Sequence, residues 1–221
     1  MKLLGRPFSQ GLTNRSKKQN FQTLFDTDAF FEMRPQNYSS GQEWNSSFGD
    51  SVFYLGTTSS SDASDPTFSN DYFAMGGNDN FTYKGTNPPE ILNIHKTTGG
   101  QAVTFIMDVY IADLSTIQYL FANTNFGGSH GFAFRIATNG AVQFVQAGAS
   151  TVARGILGPG TIQAGNRYKI MCAVDCTGNI GKLWVNTSTA TDWTPNASAS
   201  TADPSETLAI GGLPNGGTAI N

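Results

Sequence analysis

The residues able to do chemistry are few and poorly grouped. The chain has only four glutamates, Glu32, Glu43, Glu90 and Glu206, and none sits in a Glu-X-Asp-X-X-Glu run. That spacing would set two carboxylates on one face of a strand as nucleophile and acid, so a retaining glycosidase is disfavoured. His95 and His130 both fall in polar stretches that read as loops, and no third residue at a metal-ligand spacing accompanies them. No Gly-X-Ser-X-Gly elbow is present for a serine nucleophile. Gly155-Ile-Leu-Gly-Pro-Gly has the glycines of a phosphate loop, but neither Lys-Ser/Thr nor a helical pattern follows it. Cys172 and Cys176 are close in sequence, yet extended backbone would hold their Cα atoms roughly 12–13 Å apart, too far for a disulfide. Two free thiols are expected, as in a protein made in a reducing compartment. Taken together, these residues point to a non-enzymatic protein with no cofactor.

Aromatic and basic residues are the remaining candidates. Trp193, in the polar stretch Thr191-Asp-Trp-Thr-Pro, and Trp44 could be exposed and stack on a sugar ring. Trp184, between Leu183 and Val185, reads as packed inside a strand. Residues 1–20 carry five cations and no acid, so the rest of the chain holds a net charge of −8 against −3 for the whole. A basic arm on an acidic body is suited to docking on a negative surface. Residues 1–45 are expected to form such an arm, with Arg6, Arg15, Lys17 and Lys18 meeting an acidic partner while Phe21, Phe25, Phe30 and Phe31 fill its apolar pockets.

The elements that must position these residues are strands. In Gln101–Ile111, residues Val103, Phe105, Met107, Val109 and Ile111 alternate with more polar neighbours, the period of a half-buried strand. Phe132, Phe134 and Ile136 repeat the pattern, and it resumes at Val142 and Phe144 after Asn139-Gly140. That pair predicts a hairpin whose two turn positions take positive φ. Tyr168, Ile170, Cys172 and Val174 supply another core-facing stripe. Further strands are predicted at 52–55, 71–75, 118–122, 151–156, 180–186 and 207–210, with a long loop at 187–205. Only 13% of the 221 residues are charged and 16 are Phe, a composition for a turn-rich β body and not for disorder. The N-terminus lacks the apolar stretch of a secretion signal, and no segment is apolar enough to span a bilayer as a helix.

The order of motifs carries a resemblance. Asn70-Asp-Tyr-Phe-Ala-Met, Val103-Thr-Phe-Ile-Met-Asp-Val-Tyr, Tyr119-Leu-Phe-Ala-Asn and Gly131-Phe-Ala-Phe-Arg-Ile come first. Asn166-Arg-Tyr-Lys-Ile, Gly181-Lys-Leu-Trp-Val-Asn and Leu208-Ala-Ile-Gly-Gly follow. Over roughly residues 51–213 they resemble the laminin-G-like group of concanavalin-type jelly rolls, with Arg167 where that family often has Trp. The resemblance implies an all-β, two-sheet antiparallel jelly-roll sandwich over residues 46–221. It also implies adhesion, sugar binding or virion structure as its function. Some members hold calcium, for which Asp175 and Asp113 are conceivable ligands, although turn formation is the better explanation of both acids. The family adds a strand or two after its Ile-Gly-Gly element, so the sheet is expected either to be short of an edge strand or to be completed by the arm or a partner.

Among these functions, the arm and the Gly/Ser/Thr/Asn-rich body favour a virion structural protein of a tailed bacteriophage. It would be a capsid decoration protein or a head or tail fibre, made in the host cytoplasm and located in the virion. Its expected partners are other virion proteins, capsid or fibre subunits, in a homo-oligomer, with no nucleic acid and no membrane insertion. The alternative is a carbohydrate-binding, lectin-like adhesion module that meets cell-surface glycans. A glycan hydrolase comes third.

Overall fold

A computed structural model describes residues 2–4, 29–47, 50–69, 72–96, 98–125, 130–147, 152–195, 201–204 and 206–214. Their strands, numbered β1 to β16 along the chain, form an all-β antiparallel sandwich. The first sheet runs β15 (Thr191–Trp193), β14 (Ile180–Val185), β13 (Asn166–Asp175), β8 (Val103–Ile111), β1 (Lys2–Leu4) and β2 (Ala29–Glu32). The second runs β12 (Val152–Leu157), β11 (Val142–Ala147), β10 (Gly131–Ile136), β9 (Gln118–Ala122), β16 (Ala209–Ile210), β7 (Phe81–Tyr83), β4 (Val52–Leu55) and β3 (Glu43–Asn45). A separate ribbon pairs β5 (Thr67–Ser69) with β6 (Tyr72–Ala74).

The alternation legible in β8 becomes one row of the core. Phe105 faces Cys172 of β13, which in turn faces Leu183 of β14, and all three are buried. Across the sandwich, Phe121, Phe134 and Phe144 form a row of neighbours on β9, β10 and β11. The rings of Phe105 and Phe121 meet with centroids 4.4 Å apart, joining the two sheets. Such a pair contributes about 1 kcal/mol beyond the area it buries.

A second cross-sheet contact involves residues assigned above to the arm. Phe31 of β2 is fully buried and packs edge-on against Phe53 of β4 at 5.2 Å. Its ring fills a pocket of its own chain, so it is not available to anchor a partner. Phe30 packs partly buried against the same core. The division expected at residue 45 falls at the end of β3, while β1 and β2 are strands of the first sheet. β1 lies between β8 and β2, so the chain itself pairs the edge of β8 that faces away from β13. Arg6, Arg15, Lys17, Lys18, Phe21 and Phe25 lie outside the described residues.

The second sheet is covered on both faces along β9 to β11. Tyr119, Ala133 and Val145 point away from the main core, yet they are buried in a smaller cluster that includes Leu213. This double covering explains why β9 is buried at every position.

The Asn139-Gly140 hairpin forms with a different turn from the one its dipeptide suggests. Gly140 alone has positive φ, +77°, and its N–H donates to Ala137 O at 2.8 Å. This is a type I turn closed by a left-handed glycine, the three-residue hairpin form. The tip docks on the 160–162 loop, where a Cβ on Gly140 would lie 2.1 Å from Ile162 O. Gly140→Ala is therefore expected to destabilise the protein by about 2 kcal/mol, through φ strain and displacement of that loop. A urea midpoint unchanged from wild type would contradict this placement.

Candidate functional site

The first sheet presents its outer face to solvent, and the β13 register decides which side chains lie there. Because Ile170 and Cys172 face inward, Lys169 and Met171 must face outward. Met171 is the cross-strand partner of both Ile106 on β8 and Trp184 on β14, so these three apolar side chains form a row across the sheet. Each is half-buried. They floor an open cleft of about 440 Å³ whose rim includes Lys169, Asn186, Thr187 and Ser188.

Asn186 shapes that rim. It adopts a left-handed conformation, φ +54°, at the end of β14. Its N–H donates to Lys169 O at 3.0 Å, and its Oδ1 accepts the Lys169 N–H at 2.7 Å. The turn is thereby clamped to β13, which holds Thr187 and Ser188 beside the Trp184 row. Asp108, the cross-strand neighbour of Lys169, is bound instead by Arg167, through Nε at 2.6 Å and Nη2 at 3.0 Å. Arrangements of this kind bind small polar molecules with an apolar face, since they combine an apolar floor with a few fixed hydrogen-bonding groups.

The two tryptophans expected to contact glycans are placed elsewhere. Trp44 is only 6% exposed, packs at a tilt against Phe73 and Phe81, and donates from Nε1 to Arg34 O at 3.1 Å. Trp193 closes one end of the core. Its ring lies over Gly181, where a Cβ would come within 2.2 Å of it, and packs against Phe144 at 5.3 Å. With its Nε1 buried as well, the ring acts as packing and not as a platform. The tryptophan in the cleft is Trp184, expected from its apolar neighbours to be packed inside its strand. Strand parity held the signal, because an inward Leu183 turns both Lys182 and Trp184 outward.

His95 lies in a turn, as its polar context implies, but is fully buried there. Its Nε2 lies 2.9 Å from Ala202 O, and a carbonyl can only accept, so that nitrogen carries the proton. Nδ1 is buried without a partner, and burial, with lesser contributions from the Lys96 and His130 charges, pushes the imidazole down to about 4. Cys172 and Cys176 are free and buried; burial raises both thiols, Cys176 to about 12. Asp113 accepts from Ser115 N and Oγ at 2.8 and 2.6 Å, and Asp175 from Gly178 N at 2.7 Å, so both acids close turns. Among the described residues no three His, Cys, Asp or Glu side chains are grouped to hold a metal. Asp65 Oδ1 is buried and unpartnered, while Asp79 is held above the usual carboxylate range by burial and by the charge of Asp65. No described helix is long and apolar enough to cross a membrane.

No protein-family model matches the chain, and no curated protein matches it. Solved structures do. A Trypanosoma rangeli sialidase in complex with a difluoro-KDN aligns over 87% of this chain at 13% identity, with a TM-score of 0.51. That match takes in 30% of the sialidase, and what the two share is the fold. The CBM40 of a Ruminococcus gnavus IT-sialidase, bound to α2,3-sialyllactose, aligns over 53% of this chain and 67% of its own, at 16% identity and a TM-score of 0.39. A leech intramolecular trans-sialidase matches over 53% of this chain and 19% of its own, at 16% identity and a TM-score of 0.39.

The buried imidazole makes a pH prediction. Its folded pKa lies below the unfolded value of 6.5, so its stabilising contribution is complete above pH 6.5 and is lost as pH falls from there through about 4. The loss reaches about 3 kcal/mol. Urea unfolding at pH 7 and pH 4 should show a steeper decline for wild type than for His95→Gln. Parallel declines would place the acid sensitivity elsewhere.

Proposed function

We propose that this chain is a carbohydrate-binding, lectin-like module that acts without catalysis. One observation carries the reading: Trp184, Met171 and Ile106 share an open cleft with the hydrogen-bonding groups of Asn186, Thr187 and Ser188. A pyranose ring has an apolar face of C–H groups and a belt of hydroxyls. It therefore favours an aromatic or aliphatic surface bordered by fixed polar groups. The volume, about 440 Å³, suits a short stretch of glycan, falling within the roughly 300–1,000 Å³ of small-molecule sites. On this reading the partner is a glycan, such as one at a cell surface, and the rest of the sandwich is the scaffold that holds the cleft open.

The virion structural reading, with capsid or fibre subunits as partners, draws no support from the solved structures that match. Of the aromatic residues assigned to its anchor, Phe31 is in the core and Phe30 packs against it.

A glycan array probed with the full chain tests the proposal. Wild type should retain a defined subset of glycans, and Trp184→Ala should weaken retention roughly tenfold or more, the loss of an aromatic anchor worth at least ~1.4 kcal/mol. Trp44→Phe should leave binding unchanged, because that ring is buried. Retention that survives Trp184→Ala, or an array with no signal, would sink the proposal.

A further inference from the structure

The hydrogen-bonding balance of the cleft bears on which sugars it admits. Side-chain donors border it: the Lys169 ammonium, the Asn186 amide NH2 and the hydroxyls of Thr187 and Ser188. Two of the acceptors there are already in use, since Asn186 Oδ1 takes the Lys169 N–H at 2.7 Å and Thr187 Oγ1 takes the Thr189 N–H at 3.1 Å. No aspartate or glutamate lines the cleft among the described residues. Asp108, the acid across from Lys169, is bound by both arms of the Arg167 guanidinium.

Lys169 is also singular among the cations with described side chains. Arg34, Lys84, Lys96, Arg167 and Lys182 each meet a carboxylate, and Arg135 donates to Gln143. Lys169 is exposed, and its ammonium meets no acid or hydrogen-bond acceptor among the described residues. A site rich in donors, with one uncommitted positive charge and no acid, is complementary to an acceptor-rich anion. Charge-assisted hydrogen bonds to such a group are roughly twice as strong as neutral ones.

We infer that the cleft binds an anionic sugar residue, its negative group against Lys169 and its ring against Trp184. The inference rests on the glycan-binding reading above and specifies the ligand class. A carboxylate on a uronic-type sugar and a sulfate ester offer the same acceptors, and the experiment separates them.

Titration calorimetry of the full chain would use three oligosaccharides of matched length: a galacturonate, its carboxyl-reduced neutral counterpart and a sulfated galactan. One of the two anionic ligands should bind roughly tenfold tighter than the neutral one, and the one preferred identifies the anionic group. Its advantage should shrink as NaCl rises from about 50 to about 500 mM. Lys169→Gln should abolish the preference, bringing the anionic ligand down to the affinity of the neutral one for that variant, and Lys169→Arg should retain it. Trp184→Ala should weaken all three. Equal binding of anionic and neutral ligands overturns this inference and leaves the glycan-binding reading intact. An anion preference that survives Lys169→Gln also overturns it, and points to the basic residues 1–20. Failure of all three to bind, together with a blank glycan array, overturns the reading beneath it as well.

Discussion

The register between β8 and β13 is the constraint on which the core and the cleft both depend. The two strands pair along all nine residues of β8, from Val103 opposite Val174 to Ile111 opposite Asn166. Side chains alternate in a strand, so this single alignment sends Phe105, Met107, Ile170 and Cys172 into the sandwich. It sends Ile106, Asp108, Lys169 and Met171 out of it. A slip of one residue would exchange the two sets and put charged groups into the core. Contact between Phe105 and Phe121 across the sandwich penalises such a slip further.

The two sheets are not equivalent in how they meet solvent. Tyr119, Ala133 and Val145 on the second sheet are buried beneath their own cluster, so that stretch of outer face is closed. On the first sheet, the Ile106–Met171–Trp184 row is only half-buried, although its residues are as apolar as many in the core. The surrounding groups keep it from being an undifferentiated apolar patch: Arg167 holds Asp108 and Lys182 holds Asp192. An apolar floor with a polar border is the arrangement on which the glycan-binding proposal rests.

Much of the framework was legible because strand periodicity is a local property. The strands expected at 52–55, 118–122, 151–156 and 180–186 occur within a residue or so of those limits. Two of the short strands were not legible. Glu43–Asn45 and Thr191–Trp193 have three residues each, too few for an alternation to register, and their pairing partners supply the order they lack. Of the cleft, the parity that places Trp184 opposite Leu183 was present in the chain. The convergence of Trp184 with Met171 and Ile106 was not, because the three belong to different strands. The Asn139-Gly140 hairpin was predicted at the right place with the wrong turn, since docking on the 160–162 loop selects a three-residue tip.

What the sequence determined alone was the class of structure: many antiparallel strands, a phenylalanine-rich core, and no Glu-X-Asp-X-X-Glu run. Tertiary structure decided which aromatic residues meet solvent. Trp44 and His95 stand in polar stretches yet are buried by residues distant in the chain, and the half-buried Trp193 turns its ring onto Phe144, while Trp184 in an apolar stretch lines the open cleft. The physical reason is that polarity along the chain reports a residue's neighbours in sequence. Burial is set by the sheet face a residue occupies and by what packs over that face, and long-range pairing fixes both.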